Sequence, residues 1–219
     1  MQLHALDHGL DLNAPTAGYS RTPGLHMSTI YNSLWADMYP DKYGDNGKGP
    51  DETKMSLGTS FEEVLEPALA HRLTGERPGE FATQHDGLCI HARTPVKVGD
   101  SPCPCGAGVI YSPDQLFFNG HMTLGEFKCT WYSIRQGITD PKFDKWFCQM
   151  KAYCYHLDTL HARLFVLFVN GDYSYKPPHG GPHVRAWDIT FTQLELNNNW
   201  RMLHRHATKK GMWTNEVHH

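Results

Sequence analysis

The chain has 219 residues, of which 40% are hydrophobic and 12% aromatic, and its formal net charge is −3. This length and apolar content predict one globular domain with a buried core. The charge gives no support to a strongly basic nucleic-acid-binding protein, although a local groove on a weakly acidic protein can still be positive. No apolar run approaches membrane-spanning length and no signal peptide is evident, so we expect an intracellular, soluble protein.

The N-terminal part predicts an irregular arm followed by two helices. Residues 1–27 are rich in Gly, Pro and Asn and show little periodicity. Ser28 opens a segment with helical spacing that ends before Pro40. A second helix is predicted within Ser56–Leu73, where a glutamate can either cap the helix or belong to a functional site. On a helical wheel Glu63 points away from the apolar seam and suits the capping role, whereas Glu62 lies beside the seam and suits it less well.

The segment from 81 to 109 predicts short strands interrupted by Pro and Gly, and it contains an unusual pair of cysteines. Cys103 and Cys105 lie in a Cys-Pro-Cys-Gly loop that resembles half of a zinc knuckle, with no second Cys-x₂-Cys pair at suitable spacing. The residues available to complete such a site are His85, Cys89 and His91. We favour a tight loop with free, reduced cysteines over a structural Zn²⁺ site.

The segment Ser112–Lys128 predicts a β-hairpin around an Asn-Gly turn. Asp114 lies on its first strand and Glu126 on its second, and a turn of odd length, for example 119–121, places the two carboxylates opposite each other. Lys128 follows Glu126 by two residues and therefore projects from the same face of the strand. This pattern fits either an ordinary hairpin with a solvated charged face or a site for a hard divalent cation, because Mg²⁺ is held by one or two carboxylates.

Phe143–Leu160 shows the clearest helical periodicity in the chain. Gln149 lies at the edge of its buried stripe and Tyr153 follows one turn later, so the two side chains can meet on one face. The pair is explained either by a core tyrosine beside a boundary glutamine or by a functional contact. Leu164–Val169 is a continuous apolar run that is typical of a strand buried on both faces.

The C-terminal end predicts one more strand and one more helix. The strand is VRAWDITF, with partial alternation of apolar and polar residues. Thr192 and Glu195 fit a capping box for a helix over 193–209. The basic residues at the end of this helix either complement the helix dipole or contact phosphate.

Four motifs follow one another along the chain, namely Gly58-x-x-x-Glu62, Ser112-Pro113-Asp114, Glu126-x-Lys128 and Gln149-x-x-x-Tyr153. In this order they resemble the motifs of the PD-(D/E)XK nuclease superfamily, particularly the lambda-exonuclease-like (YqaJ-type) viral recombinases and the RecB-like nucleases. The resemblance spans roughly residues 58–153. It implies an α/β fold with a restriction-endonuclease-like core, in which a mixed central β-sheet is flanked by helices. We expect one such domain over 1–219, with its core at about 56–191.

The resemblance also implies a reaction and a set of site residues. The expected activity is Mg²⁺-dependent hydrolysis of DNA phosphodiester bonds, with Mn²⁺ as a substitute cation. The expected metal ligands are Glu62, Asp114, Glu126 and the backbone carbonyl of Phe127. Lys128 is expected to orient the attacking water or to stabilise the phosphate. Gln149 and Tyr153 are expected to hold the site or the DNA backbone in register.

The expected biological role is that of an exonuclease acting on linear duplex DNA in phage-type recombination or DNA processing. DNA is then the main partner, and a single-strand annealing protein and further copies of the chain are additional candidate partners. The expected location is the cytoplasm of a phage-infected or bacterial cell. Two alternatives stay open: a structure-selective or RecB-like endonuclease, and a non-catalytic nucleic-acid-binding protein with a relic site.

Overall fold

The computed structural model describes residues 25–44, 60, 88–89, 94–95, 109–110, 113–118, 120–174 and 180–212. Several predictions therefore lie outside the described residues: the arm before residue 25, the helix within Ser56–Leu73 apart from Ser60, and the Cys103–Cys105 loop. Among the described residues, no helix has the length and apolar character needed to cross a membrane.

Four very short strands accompany the main sheet in the part of the chain that the structure describes. They are β1 (Leu25–His26), β2 (Leu88–Cys89), β3 (Thr94–Pro95) and β4 (Val109–Ile110). β1 pairs with β4 in parallel, and β2 pairs with β3 antiparallel. The prediction of an irregular arm as far as residue 27 is therefore wrong at its end, because residues 25 and 26 already pair with another strand.

Over the described residues, the central sheet has four strands and mixed direction. The strands are β5 (Gln115–Phe118), β6 (Met122–Thr130), β7 (His161–Phe168) and β8 (His183–Thr190), and they lie in this order. The middle pair is parallel and the two outer pairs are antiparallel. A parallel pair needs a crossover connection, and here the connection contains a helix. The structure thus confirms the predicted α/β class with a mixed sheet and flanking helices.

The α-helices whose bounds lie within the described residues are α1 (Met27–Met38), α2 (Pro40–Tyr43), α3 (Asp144–Leu157) and α4 (Gln193–Lys209). The last has the predicted bounds and the predicted capping box between Thr192 and Glu195. The first begins before Ser28, which is not its cap, since His26 occupies that position. The third ends three residues earlier than predicted because Asp158 adopts a left-handed backbone with φ of 54°.

The two faces of the sheet differ in what they contact. One face joins α1, α3 and α4 in the main apolar core, to which β6 contributes Leu124 and β7 contributes Leu164 and Val166. The other face carries a small aromatic cluster in which the rings of Phe127 and Phe165 stack with their centroids 4.8 Å apart. Since strand side chains alternate between faces, Glu126 and Lys128 lie on the helix-bearing face.

β7 lies between β6 and β8, and most of its side chains are buried. This confirms the prediction of a strand buried on both faces. Its observed start is His161, not Leu164, because the ladder with β6 extends back to the pair of Thr123 and His161. The polar Arg163 within this extension forms an ion pair with Asp188 on β8.

The hairpin of β5 and β6 has the register that the site requires. Three residues, 119–121, separate the two strands, and Gln115 pairs with Gly125. Asp114 precedes β5 directly and lies across from Glu126, as predicted for a turn of odd length. Gly125 allows the close approach of the two strands, since a Cβ there would lie 2.7 Å from Cε2 of Phe117 and 3.0 Å from Cβ of Gln115.

Candidate active site

Two carboxylates meet where β5 begins. Pro113 is buried and cannot donate a backbone hydrogen bond, so the ladder does not continue through Asp114. The backbone N–H of Phe127 instead donates to Oδ2 of Asp114 at 2.8 Å. This bond fixes the Asp114 carboxylate beside Glu126, whose side chain is completely buried.

The ammonium group of Lys128 lies between the two carboxylates. Its Nζ donates to Oε2 of Glu126 at 2.6 Å and lies 3.7 Å from Oδ2 of Asp114. The side chains of Lys128 and Asp114 are each 16% exposed, so the cluster opens to solvent on one side. The three predicted residues of the hairpin thus form one contiguous charged cluster.

α3 supplies a second donor to the same glutamate. Nε2 of Gln149 donates to Oε2 of Glu126 at 3.0 Å, which joins the fourth and third of the predicted motifs. Tyr153 lies one turn further along α3, is buried and forms a side-chain hydrogen bond with Gln149. Tyr153 therefore positions Gln149, and Gln149 in turn fixes one oxygen of Glu126.

Burial and the neighbouring charges shift the pKa values of Glu126 and Lys128. Burial raises the pKa of Glu126 well above its ordinary value, the negative charge of Asp114 raises it further, and Lys128 only partly opposes this. For Lys128, burial favours the neutral amine, but Glu126 and Asp114 outweigh it and raise its pKa above the ordinary value. The lysine is thus held in its charged form.

One buried oxygen of the cluster has no hydrogen-bond partner among the described residues, namely Oε1 of Glu126. A buried acceptor without a partner is costly, and a divalent cation would satisfy it. The N–H and C=O of one strand residue point to the same neighbouring strand. Because the Phe127 N–H meets Asp114, the Phe127 carbonyl faces that side as well. The residues present therefore fit a hard cation held by oxygen ligands.

Three predicted residues cannot be placed relative to this cluster. Glu62, the third expected carboxylate, and the Cys103 and Cys105 pair all lie outside the described residues. Within the described residues, no group of three or more His, Cys, Asp or Glu side chains comes together in a way that could hold a metal. The observed donor set there is the pair Asp114 and Glu126.

A cleft of about 630 Å³ opens beside the cluster, and Lys128 and Gln149 form part of its wall. Tyr31 of α1 also lines it, and burial raises the pKa of Tyr31 to about 12, while the charge of Lys128 has a smaller lowering effect and that of Glu126 a smaller raising effect. Sequence reasoning did not single out Tyr31, because its place on a helix distant in sequence carries no motif. It also missed three lysines of the cleft, Lys42, Lys142 and Lys145. Their only signal was their closeness in sequence to aromatic residues.

Comparisons with known proteins find similarity at the level of the fold and low sequence identity. No protein-family model matches the sequence, and no curated protein matches it. The fold is similar to the crystal structure of SSO0001, with 11% identity and a TM-score of 0.49 over 91% of this chain and 82% of that one. It is similar to a phage-related exonuclease from Haemophilus somnus 129PT, with 13% identity and a TM-score of 0.44 over 83% and 78%. An alkaline exonuclease from Laribacter hongkongensis gives 15% identity and a TM-score of 0.46 over 86% and 88%. At these values the likeness concerns the fold and assigns no chemistry to this chain.

Proposed function

We propose that the protein is a metal-dependent nuclease that hydrolyses phosphodiester bonds of DNA. The observation that carries the proposal is the cluster of Asp114, Glu126 and Lys128, in which one buried carboxylate oxygen has no hydrogen-bond partner among the described residues. A structural ion pair alone does not account for this arrangement, because two carboxylates share one ammonium and, within the part of the chain that the structure describes, one oxygen stays without a hydrogen bond. The order of the four sequence motifs supports the same reading.

The residues that would hold a divalent cation are Asp114, Glu126 and the Phe127 carbonyl, with Glu62 as a further predicted ligand. When bound, such a cation supplies Lewis acidity toward a phosphate oxygen and neutralises the charge that builds up there. Gln149 fixes Glu126 by its hydrogen bond, so that the carboxylate does not have to reorganise during the reaction. The Phe127 N–H fixes Asp114 in the same way.

Lys128 acts in this proposal as a charged donor and not as a general base. Its pKa is raised, so it keeps its proton at neutral pH. A protonated ammonium can donate a hydrogen bond to the attacking water or to a phosphate oxygen, and its charge opposes the negative charge of the transition state. Its position on the wall of the cleft gives it access to a substrate there.

The proposed substrate is linear duplex DNA, degraded from an end, in phage-type recombination or DNA processing. This part of the proposal is supported by the resemblance of the motifs to lambda-exonuclease-like nucleases. A structure-selective or RecB-like endonuclease is the second candidate. Release of mononucleotides from linear duplex, with closed circular duplex left intact, is expected for the exonuclease, whereas nicking of the circle would favour the endonuclease.

The decisive variants are Asp114→Asn and Glu126→Gln. Each should abolish Mg²⁺-dependent cleavage of an end-labelled linear duplex and leave the circular dichroism spectrum unchanged. Asp188→Asn is the matched control, because Asp188 is a carboxylate of the same sheet that pairs with Arg163 and does not touch the cluster. Mn²⁺ should replace Mg²⁺ in the reaction of the unaltered protein.

Two results would contradict the proposal. Folded Asp114→Asn or Glu126→Gln protein that cleaves at the unaltered rate would remove these residues from the site. Unaltered protein that binds DNA tightly but never cleaves it, with Mg²⁺ or Mn²⁺, would favour the third candidate, a nucleic-acid-binding protein with a relic site.

A further inference from the structure

A second pocket, which we call the α3–α4 pocket, shares none of its described lining residues with the cleft beside the carboxylates. Its volume is about 410 Å³, which lies within the range of sites for small ligands. The lining residues come from both helices and are Tyr155, Asn197, Trp200, Arg201 and His204. Neither the sequence motifs nor the proposed nuclease reaction gives this pocket a role.

The α3–α4 pocket has an aromatic wall. The rings of Tyr155 and Trp200 are stacked, with their centroids 5.7 Å apart and an angle of 21° between their planes. His156 makes an edge-to-face contact with the same indole at 4.6 Å. Trp200 is buried, whereas Tyr155 is only half-buried. Trp200 therefore holds the Tyr155 ring in place while part of that ring stays accessible, and a flat ring of a ligand can extend the stack.

The polar groups of the pocket suit an anionic ligand. None of the described lining residues is acidic. The guanidinium of Arg201 is a planar group with a permanent charge, and such groups bind phosphate through two parallel hydrogen bonds. Nε2 of Gln193 donates to Oδ1 of Asn197 at 2.9 Å. Because this contact uses the amide oxygen of Asn197, the group that Asn197 offers to a ligand is its NH₂ donor.

This combination of groups matches the parts of a single nucleotide. An inorganic anion would contact Arg201 but would leave the aromatic wall unused. An uncharged nucleoside would use the wall but would leave the guanidinium without a partner from the ligand. A nucleoside monophosphate uses both groups, and an acceptor atom on its base can take the NH₂ of Asn197. The volume of the pocket suits one nucleotide and not a longer strand.

We propose that the α3–α4 pocket binds a free nucleoside monophosphate, with its base stacked on Tyr155 and its phosphate paired with Arg201. This site goes beyond the proposed nuclease function, because it lies outside the cleft that the carboxylates border. An exonuclease releases compounds of this class, so the pocket would bind a product of the proposed reaction away from the active site.

The test measures binding of dTMP by isothermal titration calorimetry, with EDTA present so that no divalent cation holds the nucleotide at the carboxylates. The dissociation constant should lie below about 1 mM. Thymidine lacks the phosphate and should bind about 10- to 100-fold more weakly. Deoxyribose 5-phosphate lacks the base and should bind about 5- to 100-fold more weakly. The dinucleoside phosphate TpT, which carries a phosphodiester in place of the monoester, should also bind more weakly than dTMP.

Two variants on α4 remove the polar contacts, and each has a neighbour as its matched control. Arg201→Gln should weaken dTMP binding by about 10- to 100-fold, because it removes a charge-assisted contact. Arg205→Gln should change binding little, since Arg205 is exposed one turn further along and does not line the pocket. Asn197→Asp keeps an oxygen for Gln193 but replaces the NH₂ donor by a negative charge, so it should weaken binding by at least about 10-fold. Asn198→Asp, at the exposed next position, should change it little.

Two further variants test the aromatic wall and the location of the site. Tyr155→Leu should weaken dTMP binding by about 5- to 100-fold and should hardly affect the binding of deoxyribose 5-phosphate. Lys128→Ala should bind dTMP like the unaltered protein, because Lys128 lines the cleft and not the α3–α4 pocket. Thermal unfolding of each variant checks that it is folded at the temperature of the titration.

Four results would overturn the inference. The first is a dissociation constant of dTMP weaker than about 1 mM for the unaltered protein. The second is full affinity in folded Arg201→Gln and Asn197→Asp, both of which alter exposed side chains. The third is TpT that binds as tightly as dTMP, which would assign the pocket to a nucleic-acid strand. The fourth is loss of dTMP binding in Lys128→Ala, which would place the nucleotide in the cleft. None of these results depends on the proposed nuclease activity, because the titrations contain neither DNA nor a divalent cation.

Discussion

Lys128 and Glu126 illustrate how the neighbourhood of a residue decides its chemistry. On the surface, an ion pair two residues apart on a strand contributes only about 0–1 kcal/mol to stability. Here the glutamate is completely buried and shares the lysine with Asp114. Burial raises the pKa of Glu126, and the two carboxylates raise that of Lys128. The lysine is therefore a fixed positive charge between two carboxylates.

Replacing this charge should affect turnover more than binding. Lys128→Ala should lower the single-turnover rate of duplex cleavage by roughly 10²–10³-fold, the usual effect of losing one preorganised group that stabilises the transition state. Lys128→Arg should not restore the full rate, because a planar guanidinium does not replace a compact ammonium. The measurement uses an end-labelled linear duplex, with DNA binding measured separately in Ca²⁺. An unchanged rate for folded Lys128→Ala would show that the lysine only neutralises charge.

At the scale of elements, the hairpin of β5 and β6 aligns the carboxylates. The alignment depends on the close approach of the strands at Gly125, where a side chain would contact Phe117 and Gln115. It also depends on Asp114 accepting the Phe127 N–H where the ladder has ended. Small changes in the spacing of β5 and β6 should thus change the relative positions of Asp114 and Glu126.

Gly125→Ala should destabilise the protein by about 1–3 kcal/mol, because an overpacked strand pair must separate. The same change should weaken Mg²⁺ binding, since it displaces Asp114 relative to Glu126. Urea unfolding and Mg²⁺ titration by calorimetry give the two quantities. Gly137→Ala is the matched control, because the nearest atom to its Cβ would be Oγ1 of Thr139 at 3.6 Å. Equal stability of the two variants would show that the strands can accommodate a methyl group.

The capping box of α4 offers a contrast, because it stabilises the fold without touching the site. Oγ1 of Thr192 accepts the N–H of Glu195, and the Glu195 carboxylate accepts the N–H of Thr192. Thr192→Ala should lower the free energy of unfolding by about 1 kcal/mol. The rate of DNA cleavage at a temperature well below the melting point should stay the same. Gln193→Ala, at the next position, is the control and should cost less, and a large loss of activity in Thr192→Ala would connect α4 with the site.

At the scale of the whole molecule, cation binding should couple to folding, because Asp114 and Glu126 come together only in the folded chain. A cation at one hundred times its dissociation constant should stabilise the protein by about 2.7 kcal/mol. The melting temperature should therefore rise with Mg²⁺ and return to its starting value after chelation. Glu126→Gln should lose this response, and Asp188→Asn should keep it. A rise of equal size in Glu126→Gln would place the cation elsewhere.

The sequence by itself determined those features whose signals are local. The Asn-Gly turn and the period of two in a strand determine that Asp114 lies opposite Glu126 and that Lys128 shares its face. The capping residues Thr192 and Glu195 determine where α4 begins. Each signal acts over a few residues and needs no partner from elsewhere in the chain, so its outcome could be predicted.

Only the tertiary structure decided which distant segments meet at the site. The packing of α3 against the sheet brings Gln149 to Glu126, and the packing of α1 brings Tyr31 into the same cleft. Tertiary structure also decided that β7 begins at His161, because β6 and β8 both pair with β7 as far back as that residue. The lysine and tyrosine cleft arises where α2 and α3 meet the end of β6, three segments distant in sequence. Such contacts depend on how helices and strands pack, and no short pattern of residues encodes that packing.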